Sequence, residues 1–184
     1  EARHEGDRGW AAVVRTSRPQ VPHVLPHPLV VVAHDLRSAH NVGSVFRTAD
    51  SAGLAGVVLT WFTPTPEHRG VAKTALGAQD AVPWRHEHDL GTALDRLRAE
   101  GYTVAALEIA EGAVPPQAVP ADAFPLALVL GNEVEGVPAA VVEAADLVVA
   151  LPQYGTKASL NVSVAFGVAA YRLVERARSV RAGG

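Results

Sequence analysis

LVVVAHDLRSAHNVGSVFRTADSAGLAGVVLT, residues 29–60, carries two different periodicities. LVVVA (29–33) and GVVLT (56–60) are short unbroken apolar runs bounded by other residue types, the pattern of strands buried on both faces. Between them HNVGSVFRTADSAG (40–53) has helical spacing and ends on a glycine. Such a strand, helix and strand in succession predict an α/β fold whose sheet is mostly parallel.

The alternation continues along the chain. WFTPTPEHRG reads as a loop because of its prolines, VAKTALGAQ as a short helix and AVPWRHE as a strand. Asp89 is placed to cap a helix that runs to about Glu100 and stops at Gly101. YTVAALE, LALVL (126–130) and DLVVALP (146–152) are further strands, with a proline-laden connection before LALVL and a short helix from about Pro138 after it. Ser159 to about Arg178 reads as a terminal helix. Helices are therefore expected on both faces of the sheet, in one domain over 29–184, after an extended lead-in at 1–28 whose VPHVLPHP segment cannot be helical.

Composition narrows the function classes. The 184 residues are 48% hydrophobic, 19% charged and 5% aromatic, with no apolar run long enough to span a membrane. The absence of cysteine excludes a disulfide framework, a Cys-ligated zinc or iron–sulfur site and thiol catalysis. EARHEGDRGW has no apolar core, so no signal peptide is expected and the default location is cytoplasmic. Methionine is missing even at position 1, as in a trimmed chain or one with replaced methionines. The net charge of −3 argues against a broadly basic nucleic-acid binder but leaves local patches open. Nine acids stand against Arg96 and Arg98 between Asp95 and Asp146, whereas Lys157, Arg172, Arg176, Arg178 and Arg181 dominate after it.

In parallel α/β sheets ligands bind where loops leave the carboxyl ends of strands. Three loops qualify: HDLRSAHNVGSVFR, GNEVEGV and PQYGTKASLNVS. None holds the GxGxxG or GxxxxGK[ST] pattern, which disfavours a Rossmann dehydrogenase or a P-loop NTPase. Each polar residue in these loops also has a structural reading. Asn41 and Ser159 could be helix caps, Arg47 a buried cation paired with a carboxylate, Glu133 a turn acid and Asn161 a first-turn residue. Gly131 and Gly136 around Glu133 would let backbone approach a ligand closely. Eight histidines, at 4, 23, 27, 34, 40, 68, 86 and 88, invite a metal reading, but His86 and His88 lack an evident third ligand, so no metal is expected.

Taken together, NVGSVFRTADSAGL (41–54), LVLGNEVEGV (128–137) and LPQYGTKASLNVSVAFGVAAYRL (151–173), with KTALGA (73–78), resemble the ordered motifs of the SPOUT superfamily of knotted RNA methyltransferases, in its TrmH/SpoU-like ribose 2′-O branch. The resemblance covers about residues 29 to 175. It implies a C-terminal deep trefoil knot, a homodimer, S-adenosyl-L-methionine as cofactor and tRNA or rRNA as substrate. By motif position, Gly131, Leu130, Leu151, Leu160 and Ser159 would line the cofactor site, and Asn41, Arg47, Glu133, Ser159 and Asn161 would be the polar active-site set. Arg47 would act across the dimer to position and stabilise the 2′-hydroxyl, since a guanidinium rarely gives up its proton. Asn41 would hold Arg47 or a phosphate, and Ser159 and Asn161 would sit at a helix start whose free N–H groups favour anions. Ala165, Gly167, Ala169 and Ala170 would allow close helix approach at the dimer contact. Arg3, Arg8, Arg15, Arg18, Arg37, Arg69, Lys73 and Lys157 are candidate phosphate contacts. A catalytically idle RNA-binding protein on the same fold, a base-directed RNA methyltransferase and an unrelated nucleotide-cofactor enzyme are the rival readings.

Overall fold

The structure is a computed structural model and describes residues 26–183. Its elements, in order, are β1 (His27–His34), α1 (Ala39–Ala52), β2 (Leu54–Thr60), α2 (Arg69–Ala75), α3 (Ala78–Ala81), β3 (Trp84–Glu87), α4 (Leu90–Ala99), β4 (Thr103–Leu107), β5 (Leu126–Leu130), α5 (Ala139–Ala144), β6 (Leu147–Val149) and α6 (Val162–Ala182). Two 3₁₀ turns, Pro116–Ala118 and Ala121–Ala123, occupy the proline-laden connection before β5. β1 begins two residues earlier than its apolar run, because His27 already pairs with Leu54, so the lead-in ends before His27. The candidate contacts at Arg3, Arg8, Arg15 and Arg18 lie outside the described residues.

The six strands form one sheet in the order β3-β2-β1-β5-β4-β6, with every neighbouring pair parallel. Side chains alternate across it. Leu29, Val31, Val57, Leu59, Leu126, Leu128 and Leu130 pack on one face with Phe46 of α1, Val71 of α2 and Phe166 of α6. Val30, Val32, Val58, Val104, Ala127 and Val129 pack on the other with Leu94 and Leu97 of α4. Burial on both faces is the reason the strands read as unbroken apolar runs and not as alternating ones.

Local chemistry sets the helix ends. The Ser38 side chain accepts from Asn41 N and Gly53 closes α1 at φ 74°. Asp89 caps α4 by accepting from Thr92 N at 2.8 Å, and Gly101 follows with φ 94°. The KTALGA segment splits into α2 and α3, because Leu76 and Gly77 both turn left-handed, at φ 51° and 87°. The terminal helix begins at Val162, three residues later than expected, because Asn161 is its N-cap and Ser159 lies in the loop before it.

β6 has an unusual setting. Its neighbour on one side is β4, and on the other it meets the returning limb of the β4–β5 connection, where Val114 bridges Val149. Glu108 N donates to Val149 O at 3.1 Å, Val114 N to Val148 O at 2.9 Å and Ala150 N to Val114 O at 3.0 Å. From there the chain crosses to α6, which packs on α1, β1 and the first 3₁₀ turn. Arg176 Nε donates to Val119 O at 2.8 Å and fixes that packing.

Small residues serve this packing. A Cβ on Gly43 would sit 2.6 Å from Thr74 Cβ and 2.7 Å from Val71 O, so glycine lets α1 and α2 approach. On α6, Ala169 and Ala170 are buried in the protomer's own core, and a Cβ on Gly167 would meet only Thr48 Oγ1, at 3.9 Å. This corrects the assignment to a dimer contact for Ala169 and Ala170, while Ala165 and Gly167 are only partly buried. The large hydrophobic side chains that α6 leaves exposed are Val164, Val168 and Tyr171. Gly43→Ala should lower stability by about 1–3 kcal/mol through overpacking, against about 1 kcal/mol of improved helix propensity. A melting temperature equal to or above wild type would contradict the α1–α2 contact.

Candidate active site

The strand order changes direction between β1 and β5, since β2 and β3 lie outward from β1 while β4 lies outward from β5. Loops at such a switch point diverge and leave a crevice at the carboxyl edge of the sheet. A cavity of about 780 Å³ lies on the β5 side of it, within the ~300–1,000 Å³ typical of small-ligand sites. The ends of β4, β5 and β6 and the start of α6 wall it.

Leu130, Gly131, Glu133, Leu151, Ser159, Leu160 and Asn161 all line this cavity. Asn41 and Arg47 do not. Asn41 is buried at the start of α1 and joined to the wall by hydrogen bonds. Its Nδ2 donates to Glu133 Oε1 at 3.2 Å, and its Oδ1 accepts from Asn161 Nδ2 at 3.3 Å. One polar residue from each of the three loops thus enters a single hydrogen-bonded chain. Within the protomer Asn41 makes no bond to Arg47. Six helical residues separate the two, about 240° around the axis. Arg47 is exposed, with no hydrogen-bond or ion-pair partner among the described residues.

Asn161 also answers for the start of α6. Its Oδ1 accepts from Ser163 N at 3.0 Å, Ser163 Oγ at 2.6 Å and Val164 N at 3.3 Å. The N–H groups expected to attract an anion are therefore already capped. Ser159 is exposed at the cavity rim and makes no hydrogen bond among the described residues.

Glu133 is the most connected of these groups. Arg37 N and Ser38 N each donate to its carboxylate at 3.1 Å, in addition to Asn41. Desolvation alone would push its pKa up, but these hydrogen bonds outweigh it and hold the carboxyl below the ordinary value of 4.5. The group stays ionised near neutrality and ties the loop after β5 to the N-terminus of α1.

Three further residues build the site and were not singled out in the sequence. Buried Asn132 accepts at Oδ1 from Val134 N and Glu135 N, at 2.8 and 3.1 Å, and its Nδ2 donates to Asp35 O at 2.9 Å. Asp35 sits at φ 50° and its Oδ2 accepts from the same amide at 3.3 Å. Glu108 Oε2 accepts from Val137 N at 3.1 Å across the turn. The GNE tripeptide is the signal that could have flagged Asn132, because Asn commonly bonds backbone two residues ahead in turns. Nothing local marks Asp35 or Glu108.

Gly131 and Gly136 both line the cavity, and each also has a duty within the turn. A Cβ on Gly131 would collide with Gly136 C and O and with Val137 N, so it is needed to let the two limbs of its own turn touch. Gly136 closes that turn at φ 71°, with its N–H donating to Asn132 O at 2.9 Å. Among the described residues the cavity takes its charge from Glu108, Glu133, Glu135 and Glu143, and no Lys, Arg or His lines it. Such a lining favours a cationic ligand and disfavours a bare phosphate. His86 and His88 are engaged elsewhere, His86 Nε2 meeting Trp61 O at 3.0 Å and His88 stacking on Trp61. Among the described residues no group of three His, Asp or Glu is placed to hold a metal.

The Glu133 bonds carry a pH signature. A carboxyl whose folded-state pKa is depressed contributes stability that is fully present above its unfolded pKa and is lost as pH falls through the folded value. Glu133→Gln should therefore melt below wild type at pH 7, and the gap should narrow as pH drops from about 4.5. A pH-independent gap would remove the carboxylate from this role.

Comparison with known proteins agrees with this geometry. The sequence is 35% identical over 174 residues to the 23S rRNA (guanosine(2553)-2′-O)-methyltransferase RlmP of Bacillus subtilis, covering 89% of this chain and 68% of that protein. It is 34% identical over 151 residues to a Staphylococcus haemolyticus member of the TrmH family of tRNA/rRNA methyltransferases, covering 82% of this chain and 60% of the relative. The chain thus spans about three fifths of that relative's length. The solved structure of an AdoMet-bound rRNA methyltransferase from Sinorhizobium meliloti superposes with a TM-score of 0.74 at 27% identity, over 81% of this chain and 58% of that one. The sequence profile of the SpoU rRNA methylase family matches residues 28–171, well over half of the chain, and the protein belongs to that family.

Proposed function

We propose that the protein transfers a methyl group from S-adenosyl-L-methionine to a ribose 2′-hydroxyl of tRNA or rRNA, with 29–184 as its single methyltransferase domain. The observation that carries this reading is the convergence of Asn41, Glu133 and Asn161, one from each motif, beside a cavity with an acidic and partly apolar lining. The relatives' names support the ribose position and the RNA substrate. No helix among the described residues is long and apolar enough to cross a membrane, and an RNA substrate makes the cytoplasm the natural location.

The cavity suits the cofactor. Leu130, Leu151 and Leu160 offer apolar contact, the exposed backbone of the Gly131–Gly136 turn offers hydrogen bonds, and the four carboxylates favour a positive charge. The cofactor supplies an already activated sulfonium methyl. The protein's remaining work is to align a weak nucleophile and favour alkoxide character on it. Asn41, Glu133 and Asn161 keep one another fixed for that alignment.

Arg47 is the charge available to the alkoxide, yet it lies outside its own protomer's cavity. A second copy resolves this. Thr48, its neighbour, lies beside Gly167 of α6, and α6 exposes Val164, Val168 and Tyr171 at helical spacing. We place the homodimer contact on that stripe, which carries Arg47 to the partner's cavity. We also read the path beyond β6 as the trefoil knot. β6 lies between the outgoing and returning limbs of the β4–β5 connection, and the chain then crosses back to α1.

The first test incubates the protein with S-adenosyl-L-methionine and unmodified tRNA or rRNA, then identifies methylated nucleosides by mass spectrometry. A 2′-O-methylated nucleoside is expected, and a base-methylated product would overturn the ribose assignment. Arg47→Ala should lower kcat by about 100- to 1,000-fold while leaving cofactor affinity unchanged. Full activity would end the proposed role. Val168→Glu should convert a dimer to a monomer in sedimentation and remove activity with it, and a stable dimer would move the interface elsewhere.

A further inference from the structure

Away from the cavity, the loop after β2 exposes a cluster of three rings. Trp61 and Phe62 are 40% and 70% exposed, and His88 stands beside them at the end of β3. Trp61 and His88 are nearly stacked, with centroids 4.7 Å apart and planes tilted by 32°. Phe62 meets both edge-on, at 5.1 and 6.1 Å.

The cluster is built into the fold. Trp61 holds φ 59°, a left-handed conformation that a bulky residue adopts only when its surroundings impose it. Trp61 N donates to His88 O at 3.1 Å, while His86 Nε2 meets Trp61 O at 3.0 Å. Next to Phe62, Thr63 Oγ1 donates to Ala33 O at 3.0 Å and accepts from Leu36 N at 3.1 Å.

That last bond relates the rings to the cavity. Leu36 is bonded to the aromatic loop, and the next two residues, Arg37 and Ser38, are bonded to Glu133 on the cavity wall. β2 and β5 flank β1, so the two features lie about 10 Å apart along one sheet edge. Two exposed arginines lie on the adjoining segments, Arg37 next to Leu36 and Arg69 at the start of α2. The Arg37 side chain is 71% exposed, near Asp35 at 3.5 Å. A Cβ on Gly70 would sit 3.0 Å from Ala39 Cβ, which brings exposed His68 and Arg69 alongside exposed His40 at the start of α1. The exposed acids nearby are Glu67 and Asp89, the latter engaged with Thr92 N and Oγ1.

We infer that Trp61, Phe62 and His88 form a stacking platform for an unpaired base of the RNA substrate, with Arg37 and Arg69 taking the adjoining phosphates. Exposed ring faces beside cations suit single-stranded RNA, whose splayed bases stack on aromatic side chains. The platform would select a loop or an end of the RNA and present its neighbouring ribose to the cavity. This inference rests on the proposed RNA methyltransferase reading.

The test compares the affinity of the full chain for a fluorescent single-stranded oligoribonucleotide of about 12 nucleotides, within the site sizes of stacking proteins, and for the same strand annealed to its complement. Trp61→Ala and Phe62→Ala should each weaken single-strand binding by about 10-fold, with duplex binding little changed and Trp61→Phe retaining most of the affinity. The salt slope should stay at its wild-type value in the ring variants, whereas Arg37→Ala or Arg69→Ala should lower it by about 1. Unchanged single-strand affinity, equal losses on strand and duplex, or an altered oligomeric mass with intact RNA binding would each overturn the platform. S-adenosyl-L-methionine binding, measured on every variant, keeps the two readings apart. Ring-dependent RNA binding without methyl transfer would remove the proposed function alone, and methyl transfer indifferent to the rings would remove the platform alone.

Discussion

The carboxylate of Glu133 is the joint on which the site depends. Two backbone N–H groups before α1 and the amide of Asn41 all point at it, so one charge fixes the loop after β5, the start of α1 and, through Asn41, the start of α6. Charge-assisted hydrogen bonds of this kind are stronger than neutral ones, and a helix N-terminus adds its own attraction for the anion. The turn that carries Glu133 is equally determined. Gly131 and Gly136 touch backbone to backbone, and Asn132 fills the turn from within. The cavity wall is therefore set before any ligand arrives, which is the preorganisation that alignment chemistry requires.

Charge divides the carboxyl edge of the sheet into two territories. The cavity is lined by carboxylates without a cation, whereas the exposed Arg37, His68 and Arg69 lie on the β1 and β2 side. A polyanion and a sulfonium cofactor can then occupy neighbouring places without competing.

The fold was legible because doubly buried strands leave unbroken apolar runs and because caps such as Asp89 and Gly53 act over a few residues. LALVL (126–130) falls on β5 as read, and Leu126 to Leu130 are all buried. Boundaries set by tertiary contact were less legible. Ser159 reads as the cap of the terminal helix and Asn161 as a first-turn residue, yet the cap is Asn161, which also reaches Asn41. Most of the residues named in the sequence line one cavity, Asn41 and Arg47 excepted, but their wiring was not legible. Nothing in the helix spacing shows that Asn41 turns toward Glu133 while Arg47 turns away, since that follows from which face of α1 meets the sheet. Asp35 and Glu108 were illegible for the same reason, as their partners lie far along the chain.

The segment from β6 to α6 shows why folding and function are inseparable here. Its first end is gripped between β4 and the limb at Val114, and Leu151 is buried just beyond. Its other end is pinned by the Asn161–Asn41 bond. Between them residues 152–160 are exposed, with Tyr154 at 93%. Both anchors belong to the core or to the polar chain, so the ends of the loop are fixed at the cavity wall. A ligand has only that middle to order, because closure of the loop ends has already been met by folding. Of the residues between the anchors only Gln153, Ser159 and Leu160 line the cavity, so the wall is set at the two ends of the loop and not by its middle.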